Sequence, residues 1–427
     1  NYSPYNLKRH AIQESIYGVD IEPSAIDIAR LRLWLSMIVD EEDYETIEAL
    51  PNLDYKIVCG DSLIGFPKDW KSPAFDKIEA LKNSFFDETD LARKKEIKNQ
   101  IDTEIQKRLD TSERVFGYKV DFDFKLYFSE VWHEKGGFDV VIGNPSYVVD
   151  KTLSASNKNF FKQNYVSALY QINLYMMFME KALILAHKGG FTSYIVPNTW
   201  LVNKLISPFR KYLIDNYSIQ DIVDVTNENV FDATVLPIIY SVLKKKSGQN
   251  INIIDGTSYS FIKKANLSIS SILAQPNYLI NYQISDLDWK ILEKIEIETN
   301  TLEKKAKVSF GVKFYQKGKG IPKQDVEIVR RHSFTHDINI DETCKIIIEG
   351  KNVDRFKLIP GKKFIQYGDW LAEPRNKEMF EGERVLVRRI VSKKGLISAV
   401  VKGDYCNNSL LHVVKPFSLP RNLFQVY

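Results

Sequence analysis

Apolar positions along the first half of the chain fall into short blocks that end in glycine or a carboxylate, each followed by a stretch with helical spacing. "IYGVDIEPSAIDIARLRLWLSMIVD" reads as a strand over residues 16–19, a turn, and a helix opened by Pro23 and carrying Ile26, Ala29, Leu33 and Met37 on one face. "YKIVCGDSLIGF" supplies a second strand over 56–59, and "FDVVIGNPSYV" a third, whose apolar run at 140–142 reads as buried. A helix in "YMMFMEKALILAHKGG" precedes a fourth strand at 191–196, and "IQDIVDVT" and "TVLPIIYSVLKKK" add two more. Strands that alternate with helices and are apolar on both faces predict an α/β fold with a parallel, doubly wound sheet. That block runs over residues 1–246 and ends at "KKKSGQN", which reads as a linker.

One segment interrupts the alternation. In residues 74–111, Ile97, Ile101, Ile105 and Leu109 recur one helical turn apart on a highly charged background, predicting a surface helix, or a hairpin of helices broken near Asp87. Interspersed charges of both signs argue against a membrane-surface or calmodulin-target helix there. From residue 250 to 427 the pattern changes to short β-rich runs at 308–312, 345–349, 385–390 and 396–401, separated by basic loops. This predicts a second, mixed α/β domain.

Composition narrows the class. A chain of 427 residues exceeds one ordinary core, and 44% hydrophobic with 27% charged residues describes a globular protein. The three cysteines are far apart and the six histidines form no ligand cluster, so reduced thiols, a cytoplasmic location and no metal are expected. No apolar run approaches the roughly 20 residues that span a bilayer, so no membrane partner is expected. A net charge of +4 permits a polyanionic partner without requiring one.

Ligands of open parallel sheets sit beyond the carboxyl ends of the strands, and three such ends carry Asp20, Asp61 and Asn144. A carboxylate at Asp20 suits the hydroxyls of a ribose; its plainer reading, with Glu22, is a helix cap. Asp61 suits the exocyclic amine of a purine; its plainer reading is a turn aspartate. Asn144-Pro145-Ser146-Tyr147 carries the sharper chemistry. A planar amine attacks poorly because its lone pair is delocalised. The Asn144 side-chain oxygen and the Pro145 carbonyl, each accepting one N–H, would draw it toward a tetrahedral geometry and stabilise the positive charge of bond formation. Proline stiffens the turn, and Tyr147 offers a stacking face. The alternative is an ordinary strand-ending turn.

The ordered set "YGVDIEPSAIDIARLRLWLS", "CGDSL", "FDVVIGNPSYV", "LYMMFMEKALILAHKGGFTSYIVPNTWL" and "NVFDATVLPIIYSVLKK" resembles the successive motifs of gamma-class N6-adenine DNA methyltransferases of the Eco57I type, found in restriction-modification enzymes. "YGDWLAEPRNKEMFEGERVLVRRI" and "CNNSLLHVV" resemble the target-recognition domain of that group. The resemblance implies a Rossmann-like methyltransferase sheet followed by a mixed α/β target-recognition domain. It also implies S-adenosylmethionine as donor, double-stranded DNA as partner, and methyl transfer to an adenine flipped out of the duplex. Asp20 would hold the donor's ribose, Ile21 would pack on its adenine, and Asp61, with Ser62, would bind that adenine's amino group. Phe178 would help wall the donor pocket. Asn144, Pro145, Ser146 and Tyr147 would receive the target adenine, and Phe231 would stack on its other face. For Phe178 and Phe231 the plainer reading is core packing.

Two departures from the family pattern stand out. Ser146 replaces the usual second proline, which loosens the turn but leaves both acceptors. No glycine-rich G-x-G sequence precedes the Asp20 strand. The expectation is therefore an amino-terminally truncated chain without its first strand, binding the donor weakly or not at all by itself, with a nuclease subunit or fused nuclease as a further partner. Asp341, Glu349 and Lys351 superficially match a nuclease, but Glu-x-Lys after a strand is common by chance. DNA contacts are expected from the second domain, at Lys313, Lys317, Lys319, Arg388, Arg389, Lys393 and Lys394. The rival readings are a protein-glutamine N5-methyltransferase, whose substrate also presents a planar amide nitrogen, and a non-catalytic DNA-recognition subunit.

Overall fold

The computed structural model describes residues 4–39, 53–67, 70, 74–147, 153–169, 172–226, 228, 236–257, 260–284, 286–298, 301–359, 361–390 and 395–417. They divide into two compact units, Asn1–Ile284 and Ser285–Tyr427.

The first unit opens with α1 (Pro4–Glu14), β1 (Gly18–Asp20), α2 (Pro23–Ile38) and β2 (Ile57–Cys59). Pro23 sits in the first turn of α2, where its missing N–H costs nothing. The helical insertion is α3 (Ala74–Asp87) and α4 (Leu91–Phe116), followed by α5 (Phe124–Tyr127) and α6 (Ser129–Lys135). The chain breaks between α3 and α4 because Asp90 caps the latter, accepting from Arg93 N, and α4 ends where Gly117 turns left-handed. The predicted stripe is real. Ile101, Ile105 and Leu109 are buried against Ile78 and Phe85 of α3 and against Phe160, Phe161 and Tyr165, a burial of roughly 1.5–3 kcal/mol per side chain. The insertion is thus fastened into a core.

The main sheet uses β3 (Phe138–Gly143), β4 (Ala186–Pro197), β5 (Ser218–Asp224), β6 (Pro237–Leu243), β7 (Asn250–Asp255) and β8 (Ile262–Ser268) in the order β3-β4-β6-β5-β7-β8. Its helices are α7 (Ala155–Asn164), α8 (Leu174–Leu185), α9 (Thr199–Val202), α10 (Ser207–Asn216) and α11 (Ile269–Ala274). The sheet is mixed rather than wholly parallel: β6 runs antiparallel to both β4 and β5, and β8 antiparallel to β7. The unit boundary also falls later than 246–250. The segment after "KKKSGQN" re-enters the sheet as β7, parallel to β5, because Ile251 and Ile253 are buried in the same core as Ile222 and Tyr240.

A second difference concerns β3. The run at 140–142 is not buried throughout: Val140 is 57% and Ile142 73% exposed, while Val141 packs on the core. The reason is topological. Among the described residues β3 ends its sheet, pairing only with β4, and β1 pairs only with β2 in a separate parallel ribbon. The openings of β1 and β3 nonetheless meet, Tyr17 and Phe138 having ring centroids 5.5 Å apart.

The second unit contains α12 (Asp286–Glu298), α13 (Leu302–Lys305), β9 (Ala306–Phe310), α14 (Val326–Arg331), β10 (Thr335–His336), β11 (Cys344–Ile348), β12 (Val353–Asp354), β13 (Lys357–Leu358), β14 (Phe364–Gln366), β15 (Arg384–Arg388), β16 (Ser398–Val401), β17 (Tyr405–Asn407) and β18 (Leu411–Pro416). Two four-stranded sheets, β16-β15-β18-β9 and β10-β14-β11-β17, enclose one core. Arg384, 1% exposed, ties them: its guanidinium donates to the carbonyls of Gly382, Gly403 and Tyr405.

Candidate active site

β1 and β2 deliver the two carboxylates to neighbouring strand ends. Asp20 pairs with Cys59, Gly60 N donates to the Asp20 carbonyl at 2.9 Å, and Asp61 follows directly. Asp20 is exposed, and its Oδ1 accepts from Glu22 N at 2.8 Å; the Glu22 side chain makes no cap bond to α2. One carboxylate oxygen therefore fixes the turn into α2. Ile21 beside it is 71% exposed, an apolar shelf at the strand end. Asp61 is half-buried and accepts from Leu63 N at 2.8 Å. Burial pushes its carboxyl above the ordinary aspartate range, while the Leu63 and Ile64 amides and the Lys181 ammonium pull it back. Asp61 thus makes the turn bond of its plainer reading, whereas at Asp20 the bond goes to Glu22 N before the helix and no side chain caps α2. A carboxylate has about four lone-pair sites, so this leaves each able to accept more.

The loop after Asp61 is held at several points that sequence patterns did not single out. Tyr165 donates its hydroxyl to the Leu63 carbonyl at 2.6 Å, and Tyr118 to that of Gly65 at 3.2 Å. Phe66 N donates to Asp123 Oδ2 at 3.0 Å, and Asp123 Oδ1 takes Lys125 N and Leu126 N at 2.9 and 3.1 Å, capping α5. Burial raises the Asp123 carboxyl, and Lys181 of α8 with these amides opposes that. Gly65 is required at this contact: a Cβ there would lie 2.8 Å from Asp123 Oδ2 and 3.7 Å from Lys181 Nζ. The only sequence signal for Asp123 was its position as a cap before "FKLY"; nothing marked Lys181. Beside this loop lies a cavity of about 350 Å³, lined in part by Phe66, Phe124, Trp132, Phe160 and Lys181.

β3 delivers the tetrapeptide. Asn144 and Ser146 are exposed, Pro145 is buried and Tyr147 half-buried. Tyr147 donates its hydroxyl to the Ile195 carbonyl of β4 at 3.1 Å, which fixes the turn to the neighbouring strand; burial raises its phenol. Phe178 lies where the two cores of the unit meet, partly buried in both. Ser62 is half-buried between Asp61 and Leu63. Phe231, Lys393 and Lys394 lie outside the described residues. In the second unit Lys313 is half-buried and donates to Gln316 Oε1 at 2.7 Å, whereas Lys317 and Lys319 are exposed. Arg388 is half-buried; Arg389 is exposed, its guanidinium 5.8 Å from the Phe310 ring.

The nuclease-like trio is absorbed by local structure. Asp341 accepts from Thr343 and from Gln366 Nε2, Glu349 caps the short turn at Gly350–Asn352, and Lys351 pairs with Glu349 at 2.6 Å. Among the described residues no group of His, Cys, Asp and Glu could hold a metal ion, and no helix is long and apolar enough to cross a membrane. Cys59, Cys344 and Cys406 are free thiols.

The chain is 30% identical over 159 residues to the type II methyltransferase M.HincII of Haemophilus influenzae, covering 36% of this chain and 31% of that protein. It is 23% identical over 303 residues to the type II restriction enzyme and methyltransferase RM.Eco57I of Escherichia coli, covering 68% of this chain and 24% of that protein. It therefore spans less than a third of the length of these relatives. In fold it is similar to the ATP-dependent Type ISP restriction-modification enzyme LlaBIII bound to DNA, with a TM-score of 0.52 at 11% identity over 95% of this chain and 29% of that one. It is likewise similar to the DrdV–DNA complex, with a TM-score of 0.51 at 12% identity over 97% of this chain and 44% of that one. The model of the Eco57I restriction-modification methylases matches residues 14–231, just over half of the sequence, and the chain belongs to that family.

Proposed function

We propose that this chain carries the methyl-transfer and DNA-reading parts of an adenine-N6 DNA methyltransferase of a restriction-modification system. The observation that carries the reading is the β3 exit, where Asn144 is presented to solvent while the buried Pro145 and the Tyr147–Ile195 bond hold the turn.

The residues at the first two strand ends suit S-adenosylmethionine: an exposed carboxylate for ribose hydroxyls at Asp20, an apolar shelf at Ile21 and a half-buried acceptor for an amine at Asp61. That group would supply an activated methyl on a positive sulfur. Asn144 Oδ1 and the Pro145 carbonyl would accept the two N–H bonds of the target amine and raise the electron density on its nitrogen. As the nitrogen–carbon bond forms and the carbon–sulfur bond breaks, these oxygens would stabilise the charge arriving on nitrogen, and the surplus proton would leave along one of them to water. No side-chain base is needed, because the alkylated amine is strongly acidic.

The test is methyl transfer by the complete gene product, using donor with a tritiated methyl group and DNA lacking adenine methylation. N6-methyladenine should appear in digests, and its rate of formation should fall by about 100- to 1000-fold with Asn144→Ala. Label recovered in protein instead of DNA would replace this reading with the glutamine-methylating one.

A further inference from the structure

The basic loop after β9 has more built into it than charge. Gln324 is 2% exposed and sits under the loop. Its Nε2 donates to the carbonyls of Phe314 and Trp370 at 2.9 and 2.8 Å, and its Oε1 accepts from Gln316 N at 2.8 Å. Its backbone closes the loop in both directions, donating to the Lys319 carbonyl and accepting from Gly318 N, each at 2.8 Å. Ile321 N donates to the Asp369 carbonyl at 2.8 Å, and Lys313 reaches Gln316. Gly320 sits at φ +85°, where a Cβ would lie 2.4 Å from the Trp370 carbonyl oxygen. A loop satisfied at this many points is rigid.

What it holds out is apolar. Ile321 is 76% exposed and Pro322 is exposed, with Lys317, Lys319 and Lys323, all exposed, around them in sequence. The nearest acidic side chain in sequence, Asp325, is engaged as the cap of α14, accepting from Ile328 N at 2.8 Å. A fixed apolar tip between cations matches a duplex, in which stacked bases offer apolar faces between two rows of phosphates. Isoleucine and proline are among the side chains that enter base steps as wedges.

We propose that Ile321 and Pro322 form a wedge that enters and unstacks a base step of duplex DNA, with Lys317, Lys319 and Lys323 on the flanking phosphates. This rests on DNA being the partner, as proposed above. Unstacking would lower the cost of extruding a base.

The test is relaxation of a closed-circular plasmid by a topoisomerase in the presence of the chain. Wild type should lower the linking number in proportion to the protein bound. Ile321→Ser should abolish that change and weaken binding by about tenfold, with the salt slope kept and an unaltered circular-dichroism spectrum. Ile321→Leu should retain the unwinding. The triple variant K317Q/K319Q/K323Q should flatten the salt slope by about 0.9 per lysine. Binding without a linking change, unwinding by the serine variant equal to wild type, or tighter binding to phosphatidylserine vesicles than to DNA would each overturn the wedge alone. A chain that leaves the plasmid unbound at low salt would overturn the DNA reading with it.

Discussion

Replacing Asp123 by asparagine probes whether the Asp61 loop is held as the geometry requires. The carboxylate takes Phe66 N on one oxygen and Lys125 N and Leu126 N on the other, and Lys181 Nζ lies close by. In either orientation an amide turns an N–H₂ toward at least one of these donors. A buried N–H without an acceptor costs about 1–3 kcal/mol. Lys181 is half-buried, so losing the negative charge beside it adds only about 1 kcal/mol after solvent screening. The total, about 2–4 kcal/mol, falls on the state in which residues 61–67 lie against α5 and α8. Hydrogen exchange reads that state directly: the Phe66 amide should exchange about 30- to 900-fold faster in the variant, at 1.36 kcal/mol per decade. In the complete gene product the same variant should weaken donor binding through the loosened Asp61 loop. Unchanged Phe66 exchange together with an unchanged urea midpoint would refute the reasoning.

Three further outcomes are expected. Asn144→Ala should lower methyl transfer by the complete gene product by about 100- to 1000-fold while leaving the affinity for DNA nearly intact; an active alanine variant in single-turnover kinetics would remove Asn144 from the chemistry. An ionised Asp61 accepts an amine more strongly than a protonated one, whose O–H is a competing donor, and burial raises its carboxyl. Donor affinity should therefore be full above the raised value and fall as the pH drops through it, at a higher pH than an ordinary aspartate would give. Asp61→Asn should flatten that profile, and a profile identical to wild type would exclude the role. Arg210 is fully buried and donates to the carbonyls of Trp200, Asn203, Asn277 and Tyr278. Arg210→Met should destabilise the first unit by roughly 3 kcal/mol in urea titrations, and a midpoint matching wild type would show that water replaces these bonds at no cost.

The sequence by itself determined the elements whose signals are local. Pro23 opened α2, the stripe at Ile101, Ile105 and Leu109 marked the face α4 buries, and the block ends positioned Asp20, Asp61 and Asn144 at strand termini. Those signals work because a helix or strand face must match its own period to bury anything. The tertiary structure decided what depends on partners distant in the chain. It made β6 antiparallel, returned 250–255 to the first sheet and left Val140 and Ile142 exposed, because strand neighbours are chosen by which faces close a common core. It also brought Asp123, Lys181 and Gly65 together across more than a hundred residues, and set Gln324 beneath the loop that lifts Ile321 into solvent. A buried polar residue is read from sequence as an ordinary surface group. Only the backbone groups folded around it reveal what it holds.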